Sequence, residues 1–271
     1  NEILKQVQDD NLSEGEMKIG QIISPRQAFG EALAGMAGDE NIVALDPEVG
    51  NSTYLEDFKK AAGSRYFEMY IAEQNAVGVA VGLARRNKKP VIASFAAFWT
   101  RAFDQIRMAQ YARVPLLIAG THSGISVGED GTSQMGLEDV AMFRSLRESL
   151  VVCPADGMAA MKLTENLIRE KGIKYLRLFR SPVETIYGEE EYFQIGKCKM
   201  LKASDRDQAV VSASGICVHE ALKAFEKLNQ ENVIIRIIDL YSIKPFDEEK
   251  VWESAVFCKN VIVVEDHYEA G

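Results

Sequence analysis

A chain of 271 residues that is 47% hydrophobic, with no polar low-complexity tract, can bury one large core or two modest ones. Its net charge of −9 and the lack of any Lys/Arg run exclude a general nucleic-acid or anionic-membrane binder, so any anion site must be local. Cys153, Cys198, Cys217 and Cys258 are widely spaced without a CxxC, which gives neither a disulfide framework nor a zinc site. With no signal-peptide pattern and no apolar stretch approaching ~18 residues, the expectation is a soluble, cytoplasmic protein.

Residues 1–19 read as an arm or linker, since only Ile3, Leu4, Val7 and Leu12 stand out among polar and acidic neighbours. From Ser24-Pro25 onward the pattern alternates. A capped helix is predicted over 26–36, a strand over 42–45, a helix over 54–61, a strand over 66–71 and a helix over 74–85. Short apolar runs follow at 91–95, 116–119, 150–153 and 175–178, separated by helical segments, which predicts a parallel sheet covered on both faces over 20–187. After the acidic GEEEYF stretch a second alternation places strands at 209–213, 234–238 and 261–264 and helices at 218–228 and 248–256. The fold class is α/β, with two parallel-sheet α/β domains, the smaller over 188–271. The ending EDHYEAG directly follows a strand and reads as truncated or disordered.

Three segments carry the chemistry. In YIAEQNAVGVAVGLARR (70–86) a strand delivers Glu73 to the carboxyl edge of a parallel sheet, where ligands of open α/β sheets bind. The helix that follows is almost uncharged, and Gly78 and Gly82 share a face that another backbone could approach. Taken alone, a Glu at a helix start only complements the dipole. In FAAFWTRAFDQIRMAQYA (95–112) Phe95 ends a strand and Phe98, Trp99 and Phe103 follow in a loop and helix, a spacing equally suited to plain core. GTHSGISVGEDGTSQMGLED (120–139), with His122, Glu129, Asp130 and Gln134, is too long and polar for a simple connector.

Together IAEQN, FAAFWTRAFDQIRMA and GEDGTSQMGLEDVAMFRS, followed by PADGM, IDLYSIKP and VEDHY, resemble the transketolase family in its animal form over residues 20–271. The resemblance implies a pyrimidine-binding domain and a C-terminal domain. A pyrophosphate-binding domain, whose Gly-Asp-Gly-containing motif and Mg²⁺ ligands are absent here, would lie on a partner chain. It therefore implies either a fragment of a longer enzyme or, the reading adopted, the C-terminal subunit of a split, thiamine-diphosphate-dependent transketolase of the pentose phosphate pathway. Such a subunit would assemble as a heterotetramer with an N-terminal subunit and a second copy of itself, and would be inactive alone. No metal ligand is assigned to this chain.

By the same resemblance, Glu73 would protonate N1′ of the aminopyrimidine, Phe98 would stack on that ring with Phe95 beside it, and Gln134 would add a polar contact. Ile71, Ala72, Ala76 and Val77 would give Glu73 apolar surroundings. Arg26, Ser52, His122 and Arg180 would bind the phosphate of a sugar-phosphate substrate, and Asp130 a hydroxyl beside the scissile bond. Read without the family, Arg26 could be a surface residue, Ser52 a helix cap and Arg180 a structural ion pair. Pro47-Glu48-Val49-Gly50 departs from the animal Gly-Asp-Thr-Lys run at the substrate entrance. Competing readings are the β subunit of a 2-oxoacid dehydrogenase E1 component, a deoxyxylulose-phosphate synthase, and a non-catalytic assembly subunit.

Overall fold

A computed structural model describes residues 17–270 of the chain, so residues 1–16 of the expected arm lie outside the described residues. Of the rest of that arm, Met17 is buried next to Gly157 while residues 18–20 are exposed. Strand β1 (Ile22–Ile23) leads into helix α1 (Pro25–Gly35), whose start the sequence dictates. Ser24 in extended conformation accepts from Gln27 N–H, and Pro25 fills the first helical position, where no N–H is needed.

Strand β2 (Ile42–Asp46) is followed by two short helices, α2 (Gly50–Thr53) and α3 (Glu56–Ala62), in place of the single helix expected over 54–61. Tyr54 takes a left-handed φ of 62°, which interrupts helical hydrogen bonding there, and its backbone presses on Gly30, where a Cβ would lie 2.5 Å from Tyr54 O. Strand β3 (Tyr66–Glu68) is also shorter than the expected 66–71. Tyr70 has φ 54° and Ala72 N–H donates back to Tyr70 O at 2.7 Å, a tight turn that aims the chain into helix α4 (Glu73–Ala84).

Strand β4 (Lys89–Phe95), a 3-10 segment (Ala96–Ala102), helix α5 (Phe103–Ala112), strand β5 (Leu116–Thr121), helix α6 (Asp139–Ser145), strand β6 (Leu150–Val152), helix α7 (Gly157–Arg169) and strand β7 (Ile173–Arg177) complete the first alternation. Strand β8 (Val183–Glu184) pairs antiparallel with β1. Beyond it come β9 (Lys199–Lys202), β10 (Ala209–Ala213), α8 (Cys217–Gln230), β11 (Ile235–Asp239), β12 (Ser242–Lys244), α9 (Glu248–Cys258) and β13 (Val261–Val264).

The large sheet has the order β12-β6-β7-β5-β4-β2-β3, and the small one β13-β10-β11-β9. Each is parallel as expected except for one antiparallel edge strand, β12 on the large sheet and β9 on the small one. β12 belongs to the second alternation yet hydrogen-bonds to the first sheet, so the two domains share a sheet edge. One face of the large sheet is packed by Phe29, Leu33, Phe58, Leu163 and Leu167, the other by Val77, Trp99, Ile106 and Phe143. Burying each such side chain contributes about 1.5–3 kcal/mol, which fixes the strand ends that carry the site.

Candidate active site

The carboxyl ends of β4 and β5 and the start of α4 meet along one edge of the large sheet. Glu73 is the first residue of α4 and only 4% exposed. Ala76 and Val77 are buried beneath it as expected, but Ile71 is 74% exposed and contributes nothing to an apolar wall. What faces the carboxylate instead is Arg101, whose Nη1 donates to Glu73 Oε1 at 2.6 Å. The Arg101 guanidinium also lies over the Phe98 ring, 4.4 Å from its centroid. The cause is local: Phe98 and Arg101 are three apart in the 3-10 segment, where residues i and i+3 eclipse. Trp99, fully buried with Nε1–H donating to Ala119 O at 3.0 Å, pins that segment to β5.

Phe98 stacks on Phe95 (centroids 5.0 Å apart, 20° between planes), and Phe95 stacks in turn on His122 (3.8 Å, 25°). His122 follows β5 with a left-handed φ of 55°, and its Nδ1 sits 3.0 Å from Thr121 Oγ1. Burial, followed by the nearby Arg26 and Arg180 charges, pushes its pKa down to about 3, so at neutral pH it is an uncharged imidazole. Arg26 donates through Nη1 to Ser52 O (2.5 Å) and through Nε to Arg180 O (3.3 Å), and neither bond uses Nη2. Arg180 donates through Nη1 to Val127 O (3.0 Å) and Asp130 Oδ2 (3.1 Å). Contacts thus run from Glu73 through Arg101, Phe98 and Phe95 to His122, which feels the charges of the neighbouring Arg26 and Arg180, themselves bonded to Ser52 and Asp130. Gln134, half-buried in a 3-10 turn (Thr132–Gln134), is on the same loop as Asp130 without a direct bond to these residues.

The loop is held by Arg177, which lies in none of the sequence motifs, and by Asp139 and Asp266, which lie in two of them. Arg177, at the end of β7, is buried between Asp139 (Nε to Oδ2, 2.9 Å) and Asp266 (Nη1 to Oδ1, 2.5 Å), and its Nη2 donates to Gly136 O at 3.1 Å. Gly124 N–H donates to the same carbonyl, and Gly124 has φ 69° with Asp266 where a side chain would stand. The EDHY segment of the C-terminal domain therefore seats the 120–139 loop, with Tyr268 N–H also bonding Leu137 O at 3.2 Å. Asp266→Ala, which leaves Arg177 underpaired in the interior, is expected to lower stability by about 3 kcal/mol in urea denaturation. A loss under about 1 kcal/mol would show that the loop seat does not depend on this pair. Among the described residues no group of three or more His, Cys, Asp or Glu could hold a metal ion.

The family description "Transketolase, pyrimidine binding domain" matches residues 21–185, and "Transketolase, C-terminal domain" matches residues 196–271. A curated "Transketolase" of Homo sapiens is 46% identical over 257 residues, covering 94% of this chain and 41% of its own length. "Transketolase-like protein 1" of Bos taurus is 39% identical over 262 residues, covering 94% and 44% respectively. The chain spans about two fifths of the length of these relatives. A solved structure described as "Split gene transketolase, inactive beta4 tetramer" superposes with a TM-score of 0.81 at 35% identity, over 90% of this chain and 80% of that one. "Transketolase from Leishmania mexicana" superposes with 0.83 at 21% identity, over 95% and 40%, a likeness of fold. These relatives are transketolases, which sets aside the reading as a 2-oxoacid dehydrogenase β subunit.

Proposed function

Since this chain belongs to the transketolase family, we propose that it is the C-terminal subunit of a split transketolase, moving a two-carbon ketol unit between sugar phosphates once joined to a pyrophosphate-binding partner. The observation that carries this reading is the placement at one sheet edge of a carboxylate and an aromatic face, Glu73 and Phe98, followed through Phe95 by His122, which feels the charges of the Arg26 and Arg180 guanidinium groups. The solved tetramer of similar chains is described as inactive, which supports inactivity of this chain by itself.

Thiamine diphosphate, when bound, supplies the nucleophilic carbon that takes and passes on the two-carbon unit. The residues present fit its aminopyrimidine: a nearly buried carboxylate beside the face of Phe98 already accommodates a planar, N–H-bearing group, the Arg101 guanidinium. Glu73 holds and exchanges a proton at ring nitrogen N1′, Phe98 and Phe95 orient the ring, and Gln134 adds a polar contact. The diphosphate and its Mg²⁺ fall to the partner. Arg26 and Arg180 bring positive charge to a substrate phosphate, while His122 and Ser52 add neutral hydrogen bonds. Asp130, held against Arg180, is placed to meet a sugar hydroxyl. The exposed side of α4, with Gln74, Asn75, Gly78 and Gly82 meeting nothing from their own chain at the glycines, suits contact with a second copy.

Arg180→Ala tests the substrate assignment. The lost contact is made in the ground and transition states alike, so KM for phosphorylated sugars should rise about tenfold or more with little change in kcat, and unphosphorylated donors should be spared. Equal effects on both kinds of donor in steady-state kinetics of the reassembled enzyme would remove Arg180 from the phosphate site.

A further inference from the structure

Arg101 has no part in the chemistry above, yet it occupies the middle of the site. Its Nη1 donates to Glu73 Oε1 at 2.6 Å, and its guanidinium covers the Phe98 ring at 4.4 Å. Those two contacts, a nitrogen hydrogen-bonded to the Glu73 carboxyl group and a flat π-system laid on Phe98, are the same two that an aminopyrimidine would make there, with the hydrogen then supplied by Glu73 to the ring nitrogen. We propose that Arg101 is a positioning residue of the cofactor site, a placeholder that stands where the pyrimidine ring goes and is displaced when thiamine diphosphate binds. The inference rests on the reading of Glu73 and Phe98 given under the proposed function.

Arginine is the side chain suited to this. Its guanidinium is planar and delocalised, stacks on aromatic faces, and presents N–H groups in its own plane, whereas a lysine ammonium is a compact charge without a face. The need for a placeholder follows from burial: Glu73 is 4% exposed, and a carboxylate left there without a partner carries an uncompensated desolvation penalty. Phe98 likewise has Phe95 and Arg101 between them covering its stacking surface. The Arg101 side chain is 51% exposed, so it can swing into solvent without breaking the core. Its backbone stays in place, because Trp99 anchors the segment and Gln74 Nε2 donates to Arg101 O at 2.9 Å. Cofactor and Arg101 therefore compete for one carboxylate and one ring face, and the apparent affinity for the cofactor is reduced by the fraction of sites in which Arg101 is seated.

The experiment is isothermal titration of thiamine diphosphate with Mg²⁺ into the complex of this chain with its pyrophosphate-domain partner, comparing the parental chain, Arg101→Ala and Arg101→Lys. Inorganic pyrophosphate with Mg²⁺, which lacks the pyrimidine, is titrated into the same complexes. Arg101→Ala should bind thiamine diphosphate about tenfold more tightly, Arg101→Lys should fall between it and the parent, and pyrophosphate should bind all three alike. Arg101→Lys retains a charge for Glu73 and serves if the alanine variant does not fold. Thiamine diphosphate bound equally or more weakly by the variants overturns the placeholder, as does an equal gain for pyrophosphate, which would report only on net charge. A parental complex that takes up no thiamine diphosphate overturns the reading of the site itself, and the inference with it.

Discussion

Purified without a partner, this chain should turn over no ketose phosphate, and mixing it with a chain carrying the pyrophosphate-binding domain should raise two-carbon transfer from xylulose 5-phosphate to ribose 5-phosphate by at least about 10⁴-fold. The physical reason is that the proposed function gives this chain only the pyrimidine end of the cofactor. A pyrimidine held by one carboxylate and one ring face is a small ligand, and its binding cannot by itself fix a flexible diphosphate. Most of the affinity for such a molecule comes from Mg²⁺ and the groups around its phosphates, which the proposal assigns to the partner. Arg101, seated on both pyrimidine contacts, lowers the affinity further. The proposed active species is a two-fold assembly of two of these chains with two partners, in which the exposed glycines of α4 suit the contact between like chains, so mass measurement of the mixture should find a heterotetramer. Substantial turnover by the lone chain would overturn the division of labour between the two polypeptides.

The parts of this fold that were legible in the sequence are those written in continuous patterns. β4 and β5 are largely apolar runs bounded by turns, and buried parallel strands need such runs because both faces of the sheet are covered. The strand β12 carries no such signal: Ser-Ile-Lys is three residues of mixed polarity, and its partner β6 lies some ninety positions earlier in the chain. Strands β1 and β8, two residues each, are set by their mutual pairing rather than by composition. The left-handed turns at Tyr54, Tyr70 and His122 were hidden for another reason. Glycine announces a positive φ, but a tyrosine or a histidine in that conformation carries no such local signal.

The site shows the same division. Glu73, Phe98, His122 and Arg180 could be named as candidates because several uncommon segments agreed in order and spacing. Arg101 sat in plain view within FAAFWTRAF and went unassigned. Its meaning depends on the segment being 3-10 rather than a loop, since only that geometry stacks residue i+3 on residue i. Arg177 was equally silent. A lone Arg at a strand end is ordinary, and its importance appears only once Asp139 and the distant Asp266 are seen to close on it.

Glu73→Gln should lower kcat of the reassembled enzyme by about 10²–10⁴-fold, with the fold and the cofactor site otherwise preserved. An amide keeps the size and one acceptor oxygen of the carboxylate, so Arg101 can still donate to position 73, and its half-exposed guanidinium stays solvated. The change in unfolding free energy should therefore stay within about 1 kcal/mol. What the amide cannot do is exchange a proton at the ring nitrogen it faces, and that exchange is the one step assigned to this side chain. The two readings of Glu73 separate cleanly on this variant. As a helix-start residue that only complements the dipole of α4, it would contribute about 0.3–1 kcal/mol of stability and nothing to turnover. As the proton-holding group, it governs turnover and contributes little to stability, because its buried charge is spent against Arg101. Measured side by side, kcat at saturating thiamine diphosphate, the calorimetric Kd for the cofactor and the midpoint of urea denaturation decide between them. A variant that keeps the parental kcat while losing stability would return Glu73 to the structural role and leave the sheet edge without its acid.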